Sequence, residues 1–284
     1  MFMMSSRTIT ASSPPPIGVA NMPWEQQIGG RLGTRLESTA WRAKNLMLPL
    51  LATSVRLSRR SAGIRRFHVD DQVFDYFVHP YNATWRNERC VELAVAFDWL
   101  DCRPAGHTLE VGHVLGHYRP LHDHTVVDKY ELAPDVVNAD AMDYRPAVRF
   151  RSIMAISTLE HVGYDEEEQD PDKTRRLVDH LATLLTPDGE LLITFPLGYN
   201  RELDAHLVSG ALGFDHLAVL RRTSALGAWE QADLDHLPHA RYGFPFRNGN
   251  SIAVGRRRAP ALVVPKTGTE TLVAAEFVAA STNR

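Results

Sequence analysis

The feature that most constrains the fold is a glycine turn between two short apolar segments, TLEVGHVLGHY (108–118) and HTVVDKY (124–130). The pattern predicts a strand, a sharp turn at Gly112, a short helix and a second strand that ends at Asp128. Gly112 permits a backbone turn in which a side chain would clash, and Gly116 lets the helix approach closely. An acid at the tip of the second strand is placed to accept hydrogen bonds from ribose hydroxyls. The layout therefore predicts a site for a cofactor that contains a nucleoside.

Two classes of cofactor use such a layout: the nicotinamide or flavin dinucleotides, and S-adenosylmethionine. A dinucleotide site favours three glycines, because the pyrophosphate lies against bare backbone. Val114 occupies the middle position here and would crowd a pyrophosphate. The residue therefore favours the cofactor that has no phosphate. The remaining alternative is an ordinary strand-to-helix turn that binds nothing.

Three later segments continue the alternation of apolar runs and turns, namely VVNAD (136–140), FRSIMAISTLEHV (150–162) and LLTPDGELLITFP (184–196). They predict the third, fourth and fifth strands of a sheet. In this order the chain resembles the class I S-adenosylmethionine-dependent methyltransferases, over roughly residues 70–257. The motifs EVGxVLxHY, VVDKYE, STLEHVG and PLGYN resemble, more narrowly, a little-characterised bacterial subgroup whose first loop also lacks the middle glycine.

The resemblance implies a Rossmann-like α/β fold with a central, mostly parallel, seven-stranded sheet. Its early helices are expected to be shortened. The interval from Gly112 to Asp128 is shorter than the family pattern, so the first helix loses about one turn and ends near Pro120. The interval from Asp128 to Asp140 leaves little room for a second helix. Segments 217–224 and 251–257 are expected to form the last, antiparallel pair of strands. The polar segment 229–248 between them, which includes Tyr242, is expected to be a loop that caps the site.

The resemblance also assigns residues to the cofactor and to the acceptor. The cofactor residues that it implies are Glu110, Gly112, His113 and Gly116 along the methionine and ribose side, Asp128 at the ribose hydroxyls, Asp140 and Ala141 at the adenine, and Ser157 near the sulfonium. Tyr199 and Asn200, after the fifth strand, are candidate acceptor contacts. Their alternative is a purely structural turn.

His161 is the candidate general base, because it follows the fourth strand at the rim where open α/β sheets bind ligands and because imidazole titrates near neutral pH. Glu160 would orient it or contact the acceptor. The alternative is that His161 only caps the next turn. Arg86 and Arg89 could reach the cofactor carboxylate through bidentate hydrogen bonds, or could form a surface salt bridge with a neighbouring glutamate.

The function favoured by these residues is methyl transfer from S-adenosylmethionine to a small molecule, with an oxygen of a sugar or secondary metabolite as the expected acceptor. Two alternatives stay open. One is a protein of the same fold that has lost catalysis and serves as a scaffold or regulator. The other is an NAD(P)-dependent oxidoreductase, which Val114 disfavours.

We predict no metal at the site. His113 and His117 are four residues apart and His122 and His124 follow, but the pattern shows no cysteine and no nearby carboxylate that would complete a set of metal ligands. Some metal-dependent RNA methyltransferases place Glu-x-x-Glu-His where Glu160 and His161 stand. In this chain the first position of that motif is a serine, so the motif is incomplete.

Charge divides the chain unevenly. Residues 1–66 hold ten basic and two acidic residues, whereas the remainder holds 21 basic and 32 acidic ones. We predict a basic leader over 1–66 with a helical segment at 38–60, a methyltransferase domain over 67–257 and a tail over 258–284. The acidic body disfavours nucleic acid as a partner.

The leader is expected to pack on its own domain or on a second copy in a homodimer, with Pro49 interrupting any long amphipathic face. Contact with an anionic membrane is the less favoured alternative. Two cysteines and the absence of a long apolar run indicate a cytoplasmic protein.

Overall fold

The computed structural model describes the backbone of residues 36–260 and the side chains of residues 47–260. The proline-rich start of the leader and the tail from residue 261 lie outside the described residues. The chain divides into a first unit, Met1–Met47, and a second unit, Leu48–Arg284.

The described residues form four α-helices and ten strands. The helices are α1 (Leu36–Ser61), α2 (Arg89–Asp101), α3 (Lys173–Thr183) and α4 (Arg201–Val208). The strands are β1 (Arg66–Val69), β2 (Gln72–Asp75), β3 (Thr108–Val111), β4 (His124–Asp128), β5 (Val136–Asn138), β6 (Phe150–Ile156), β7 (Leu185–Pro196), β8 (His216–Arg222), β9 (Trp229–Ala232) and β10 (Ser251–Arg258).

The central sheet has the strand order β5-β4-β3-β6-β7-β10-β8-β9. Strands β3 to β7 are parallel to one another, whereas β10 is antiparallel to both β7 and β8. This arrangement confirms the predicted Rossmann-like, mostly parallel sheet of the class I methyltransferase fold. It also confirms the antiparallel pairing of the last two predicted strands.

The sheet has eight strands in the described part of the chain, not the seven predicted. The extra strand is β9, which pairs with β8 from Val219↔Ala232 to Arg222↔Trp229. The sequence predicted a loop there, because Trp-Glu-Gln-Ala offers only one large apolar side chain. That side chain, Trp229, is buried, and the pairing with β8 supplies the backbone hydrogen bonds that the pattern does not reveal.

The early helices are reduced further than predicted. Between β3 and β4 the chain forms only a 3₁₀ turn, Leu115–His117, and no helix separates β4 from β5. The expected first helix is therefore absent, not merely one turn shorter. The reason is local, because the buried Glu110 carboxylate accepts the N–H groups of Val114 and Leu115 and holds them in a tight turn.

Both faces of the sheet are covered. Along β6 successive side chains alternate between two cores, as a pleated strand requires. Ile153 packs with the apolar face of α3, whereas Met154 packs with α2. The buried strands therefore read as continuous apolar runs, which is typical of a parallel sheet covered on both sides.

Helix α1 continues through Pro49, so the proline does not end the helix. Among the described side chains near this proline, those of Met47, Leu50 and Leu51 are exposed and that of Ala52 is buried. The packing of the leader on its own domain or on a second copy stays a prediction. Among the described residues, α1 and the other helices all lack a stretch long and apolar enough to cross a membrane.

Candidate functional site

The candidate site lies where the carboxyl ends of the central parallel strands meet. Gly112 follows β3, Asp128 ends β4, Ser157 follows β6 and Leu197 follows β7. These strands are neighbours in the sheet, so the predicted cofactor and acceptor residues reach one rim. This edge is where open α/β sheets bind their ligands.

Gly112 has a left-handed backbone with φ +83°. A Cβ atom built at this position would lie 2.3 Å from Thr158 Oγ1, so the close approach of the loop after β6 requires glycine. A Cβ at Gly116 would lie 2.7 Å from His113 Nε2. Glycine at positions 112 and 116 therefore allows the loop to pack closely against Thr158 and His113.

The carboxylate of Glu110 holds the loop between β3 and β4. Glu110 is fully buried, and its Oε1 accepts the N–H groups of Val114 at 2.8 Å and Leu115 at 2.7 Å. Its Oε2 lies 2.9 Å from His124 Nε2. The structure thus places Glu110 beneath the loop that it shapes, instead of along an open surface.

Asp128 stands at the tip of β4, as predicted. Its Oδ2 accepts the N–H of His113 at 3.3 Å, and its Oδ1 accepts the N–H groups of Tyr130 and Glu131, both at 2.8 Å. A carboxylate offers about four acceptor positions, so one remains for a ribose hydroxyl. The half-buried side chain is compatible with that contact.

Asp140 and Ala141 follow β5, where the resemblance places the adenine. Ala141 is buried. Asp140 Oδ2 pairs with Lys173 at 2.7 Å and Lys129 at 3.1 Å, while Oδ1 accepts the N–H of Met142 at 3.0 Å. Burial alone would raise the pKa of Asp140, but these partners lower it to about 2. The carboxylate is therefore engaged by two lysines.

The structure brings His113 and His117 together with Glu131, which the sequence did not single out. One ligand atom from each lies within 4.8 Å of the others, and His113 Nδ1 lies 2.8 Å from Glu131 Oε1. Burial, followed by the neighbouring His113, lowers the pKa of His117. The contact between His113 and Glu131 has the length of an ordinary hydrogen bond, and the absence of a metal stays a prediction.

Ser157 adopts a left-handed backbone with φ +41°, an unusual conformation for a residue with a side chain. Its hydroxyl donates to Glu92 Oε1 at 2.6 Å, and Thr194 of β7 donates to the same oxygen at 2.8 Å. Glu92 is fully buried and its Oε2 pairs with Arg89 at 3.1 Å. The network ties helix α2 to the ends of β6 and β7.

The predicted alternative for Arg89, a salt bridge with a neighbouring glutamate, is present but is not a surface contact. Arg89 Nη1 also donates to the carbonyl of Ile156 at 3.1 Å. Its side chain is 16% exposed and that of Glu92 is 0% exposed. Arg86, in contrast, is exposed. Of the two arginines, only Arg89 has its side chain bonded at the end of β6.

Glu160 and His161 form a 3₁₀ turn directly after β6. Glu160 is 3% exposed, and burial raises its pKa well above the usual range. His161 Nε2 lies 3.7 Å from Glu160 Oε1, while Nδ1 lies 2.5 Å from Asp165 Oδ2. Tyr199 donates its hydroxyl to the same Asp165 oxygen at 2.7 Å. Asp165 thus orients His161 with Nε2 toward Glu160.

Asn200 caps helix α4. Its side-chain oxygen accepts the N–H groups of Glu202 and Leu203, and its Nδ2 donates to the carbonyl of Glu160 at 3.1 Å. The side chain is buried. The structure therefore gives Asn200 the structural position that the sequence left open as an alternative. Tyr199 remains half-buried beside His161, with ring centroids 5.2 Å apart.

The sequence did not identify three residues of this rim as part of the site, namely Glu88, Glu92 and Asp165. Asp165 stands four residues after His161, a spacing that could have suggested a partner. Glu92 contacts residues 65 and 102 positions away, and no local pattern reports such contacts. Tyr242 reaches Tyr199, with ring centroids 4.9 Å apart, from a segment predicted to be a loop.

No protein-family model and no curated protein matches the chain. Solved structures with a similar fold include the N-methyltransferase NodS from Bradyrhizobium japonicum WM9 in complex with S-adenosyl-L-homocysteine. It is 15% identical, with a TM-score of 0.39, and the match covers 61% of this chain and 87% of NodS.

Two other structures show a comparable similarity. A Thermotoga maritima protein described as a possible histamine N-methyltransferase is 14% identical, with a TM-score of 0.37, and covers 65% of this chain and 96% of its own. The CcbJ methyltransferase from Streptomyces caelestis is 14% identical, with a TM-score of 0.36, and covers 58% and 88%. Because these TM-scores are below 0.5, we infer function only from the residues of this chain.

Proposed function

We propose that this protein is an S-adenosylmethionine-dependent methyltransferase that acts on a small molecule. The observation that carries the proposal is the pairing of the Gly112 turn with Asp128. The left-handed turn at Gly112 lets the loop after β3 pack against Thr158, and the carboxylate at the tip of β4 retains one acceptor position. One ribose hydroxyl can donate a hydrogen bond to that position.

The loop geometry disfavours a dinucleotide. A pyrophosphate needs free backbone N–H groups at the glycine turn. Here the N–H of His113 is donated to Asp128, and those of Val114 and Leu115 are donated to Glu110. Two carboxylates at the loop would also repel the phosphates. These features support the cofactor without phosphate over NAD and NADP.

His161 would take up the proton that the acceptor loses, together with the neighbouring Glu160. Its Nδ1 is held by Asp165, its Nε2 lies 3.7 Å from Glu160 Oε1, and the half-exposed ring can pass a proton to solvent. When bound, the cofactor supplies an electrophilic methyl group on a sulfonium. The chain's part is to hold the acceptor in line with that methyl group and to remove one proton.

The sequence favours an oxygen of a sugar or secondary metabolite as the methyl acceptor, with cytoplasmic location and homodimer formation as further proposals. A scaffold without catalysis is the second candidate. The oriented His161–Asp165 pair supports an enzyme, because a scaffold has no need of an imidazole whose Nδ1 is fixed by Asp165 and whose Nε2 lies beside a buried carboxyl group.

Ligand-induced thermal stabilisation tests the proposal. S-adenosylmethionine or S-adenosyl-L-homocysteine at 100 times its Kd should stabilise the fold by about 2.7 kcal/mol and raise Tm, whereas NAD and NADP should not. Asp128→Asn, which keeps one oxygen acceptor for the loop, should weaken binding. Asp135→Asn is the matched control, because Asp135 is exposed in the next turn of chain. Stabilisation by NAD alone, or equal affinity in both variants, would contradict the proposal.

A further inference from the structure

The rim after β6 holds more buried carboxylates than cations. Glu88, Glu92 and Glu160 are 8%, 0% and 3% exposed. Among the described residues, their ion pairs are limited to Arg89, which pairs with Glu92, and to His161, which lies 3.7 Å from Glu160. Glu88 accepts only a backbone N–H, that of Gly249 at 3.0 Å. The cluster therefore has an excess of negative charge when its carboxyl groups are ionised.

One of these carboxylates lacks a partner. Glu160 Oε2 is buried and forms no hydrogen bond with any described residue. Native structures rarely leave such an atom unsatisfied, since a buried polar atom without a partner is costly. An unpaired carboxylate oxygen at the ligand rim of the sheet is a position that a donor from a ligand can satisfy.

Aromatic rings lie next to His161, which is the neighbour of Glu160, and the ring centroid of Tyr199 is 5.2 Å from that of His161. Tyr199 makes edge contacts with Tyr164 and Tyr242, with ring centroids 5.7 and 4.9 Å away. Burial, followed by the carboxylates of Glu88 and Glu160, raises the pKa of Tyr242, which places its hydroxyl in the field of the cluster. Aromatic faces beside carboxylates are the chemistry that recognises an ammonium group.

We propose that the methyl acceptor is a small-molecule amine, bound as its ammonium form by Glu160 and by the Tyr199 and Tyr242 rings. This inference rests on the proposed methyl transfer and replaces the oxygen acceptor that the sequence favours by a nitrogen. A hydroxyl acceptor fits the cluster less well. Removing its proton would develop negative charge beside Glu88, Glu92 and Glu160, and like charges disfavour that ionisation.

The chemistry balances with these groups. The ammonium gives one proton to the ionised Glu160, which leaves a neutral amine with a lone pair. That lone pair forms the new nitrogen–carbon bond, and the electrons of the broken sulfur–carbon bond remain on sulfur. The positive charge thus moves from sulfur to nitrogen, where the carboxylates stabilise it. The proton on Glu160 leaves through His161, whose ring is half exposed.

Binding of a cation that cannot react tests the inference. The probe is benzyltrimethylammonium, compared with its neutral isostere neopentylbenzene, on the protein saturated with S-adenosyl-L-homocysteine. The cation should bind at least about tenfold more tightly, in line with a desolvated cation–aromatic contact. Equal binding of the two probes would overturn the inference. Failure of S-adenosyl-L-homocysteine to bind would instead overturn the proposed function.

Glu160→Gln should remove the preference for the cation and keep the affinity for S-adenosyl-L-homocysteine. Glu168→Gln is the control, because Glu168 is exposed on the same loop. Tyr242→Ala gives an independent variant at an exposed position if Glu160→Gln does not fold, and it should also reduce the preference. A preference for the cation that persists in Glu160→Gln would overturn the assignment. If Glu160→Gln does not fold, a preference that persists in Tyr242→Ala would overturn it.

The preference should also depend on pH. The charged and titratable groups that face Glu160 are Glu88, Arg89, Glu92, His161, Tyr199 and Tyr242. Because Glu160 holds its proton more tightly than a free carboxyl group, affinity for the cation should fall as pH is lowered through its raised pKa. The Glu160→Gln variant should show no such step. A wild-type protein whose cation affinity is constant across this range would contradict the inference.

With labelled cofactor, benzylamine should accept methyl groups at least about tenfold faster than benzyl alcohol, which has the same shape and no positive charge. Preferential transfer to the alcohol would refute the nitrogen assignment while leaving the methyltransferase proposal standing.

Discussion

Replacing Gly112 by alanine probes the contact that shapes the loop beside β3. Two costs are expected. The left-handed backbone at φ +83° costs about 1–2 kcal/mol for a residue with a Cβ. The new Cβ, 2.3 Å from Thr158 Oγ1 and 2.9 Å from its Cγ2, forces the loops apart at a cost of about 1–3 kcal/mol. The free energy of unfolding should therefore fall by about 2–5 kcal/mol.

The chain offers a control that separates these costs. Gly210 also has a left-handed backbone, with φ +72°, but a Cβ there would meet nothing within 4 Å. Gly210→Ala should therefore lose only the conformational term, about 1–2 kcal/mol. Urea unfolding of Gly112→Ala, Thr158→Ala and the double variant completes a mutant cycle, in which Thr158→Ala should recover most of the contact term.

The same variants report on the ligand. Gly112→Ala should weaken binding of S-adenosyl-L-homocysteine, because the displaced loop carries the N–H of His113 that positions Asp128. Gly210→Ala should leave that affinity unchanged. A Gly112→Ala variant as stable as Gly210→Ala, or one that Thr158→Ala does not rescue, would refute the close contact between the two loops.

Three further predictions follow from other parts of the molecule. Burial raises the pKa of Asp204 to about 6, partly opposed by the N–H of Gly198, so the fold loses stability as pH rises from about 4 to 6. In urea unfolding, Asp204→Asn should therefore raise the free energy of unfolding by about 2–3 kcal/mol at pH 8 and leave it unchanged at pH 4. Equal effects at both pH values would disprove this. Treatment with EDTA should leave methyl transfer unchanged despite the cluster of His113, His117 and Glu131, and a loss restored by a divalent cation would show a metal requirement. Arg59→Ala should lower stability by roughly 1.5–3 kcal/mol, because Arg59 donates to the carbonyls of Trp85, Leu226 and Gly227. An unchanged Tm in Arg59→Ala would contradict this role.

The strands of the sheet were predictable because their signals are local. An apolar run bounded by turn residues marks β3, β4, β6 and β7 whatever they pair with. The stripe of Leu177, Val178 and Leu181 likewise marks α3 before any partner is known. Strand β9 has no such pattern, since it depends on the edge that β8 presents. Helix α4 was not predicted either. Its start is fixed by the Asn200 cap, and its contact partners lie elsewhere in the chain.

The candidate site divides in the same way. Gly112, Asp128 and His161 stand at predictable positions, because the carboxyl ends of parallel strands meet at one edge. The surroundings of these residues were not predictable. The salt bridge of Arg89 with Glu92 was considered only as a surface contact, but the two side chains are 16% and 0% exposed. Burial depends on what the rest of the chain places above a residue, and the local sequence does not contain that information.

Two features of the fold that cost stability bear on the choice between an enzyme and a scaffold. The left-handed backbone of Ser157 is a sparsely populated conformation, which costs of order 1–3 kcal/mol. The unpartnered Oε2 of Glu160 adds the cost of a buried acceptor without a donor. Both lie within four residues of His161, at the end of β6. A scaffold would gain stability by relaxing either feature. An enzyme that binds an ammonium group there needs the oxygen unpaired until its ligand arrives.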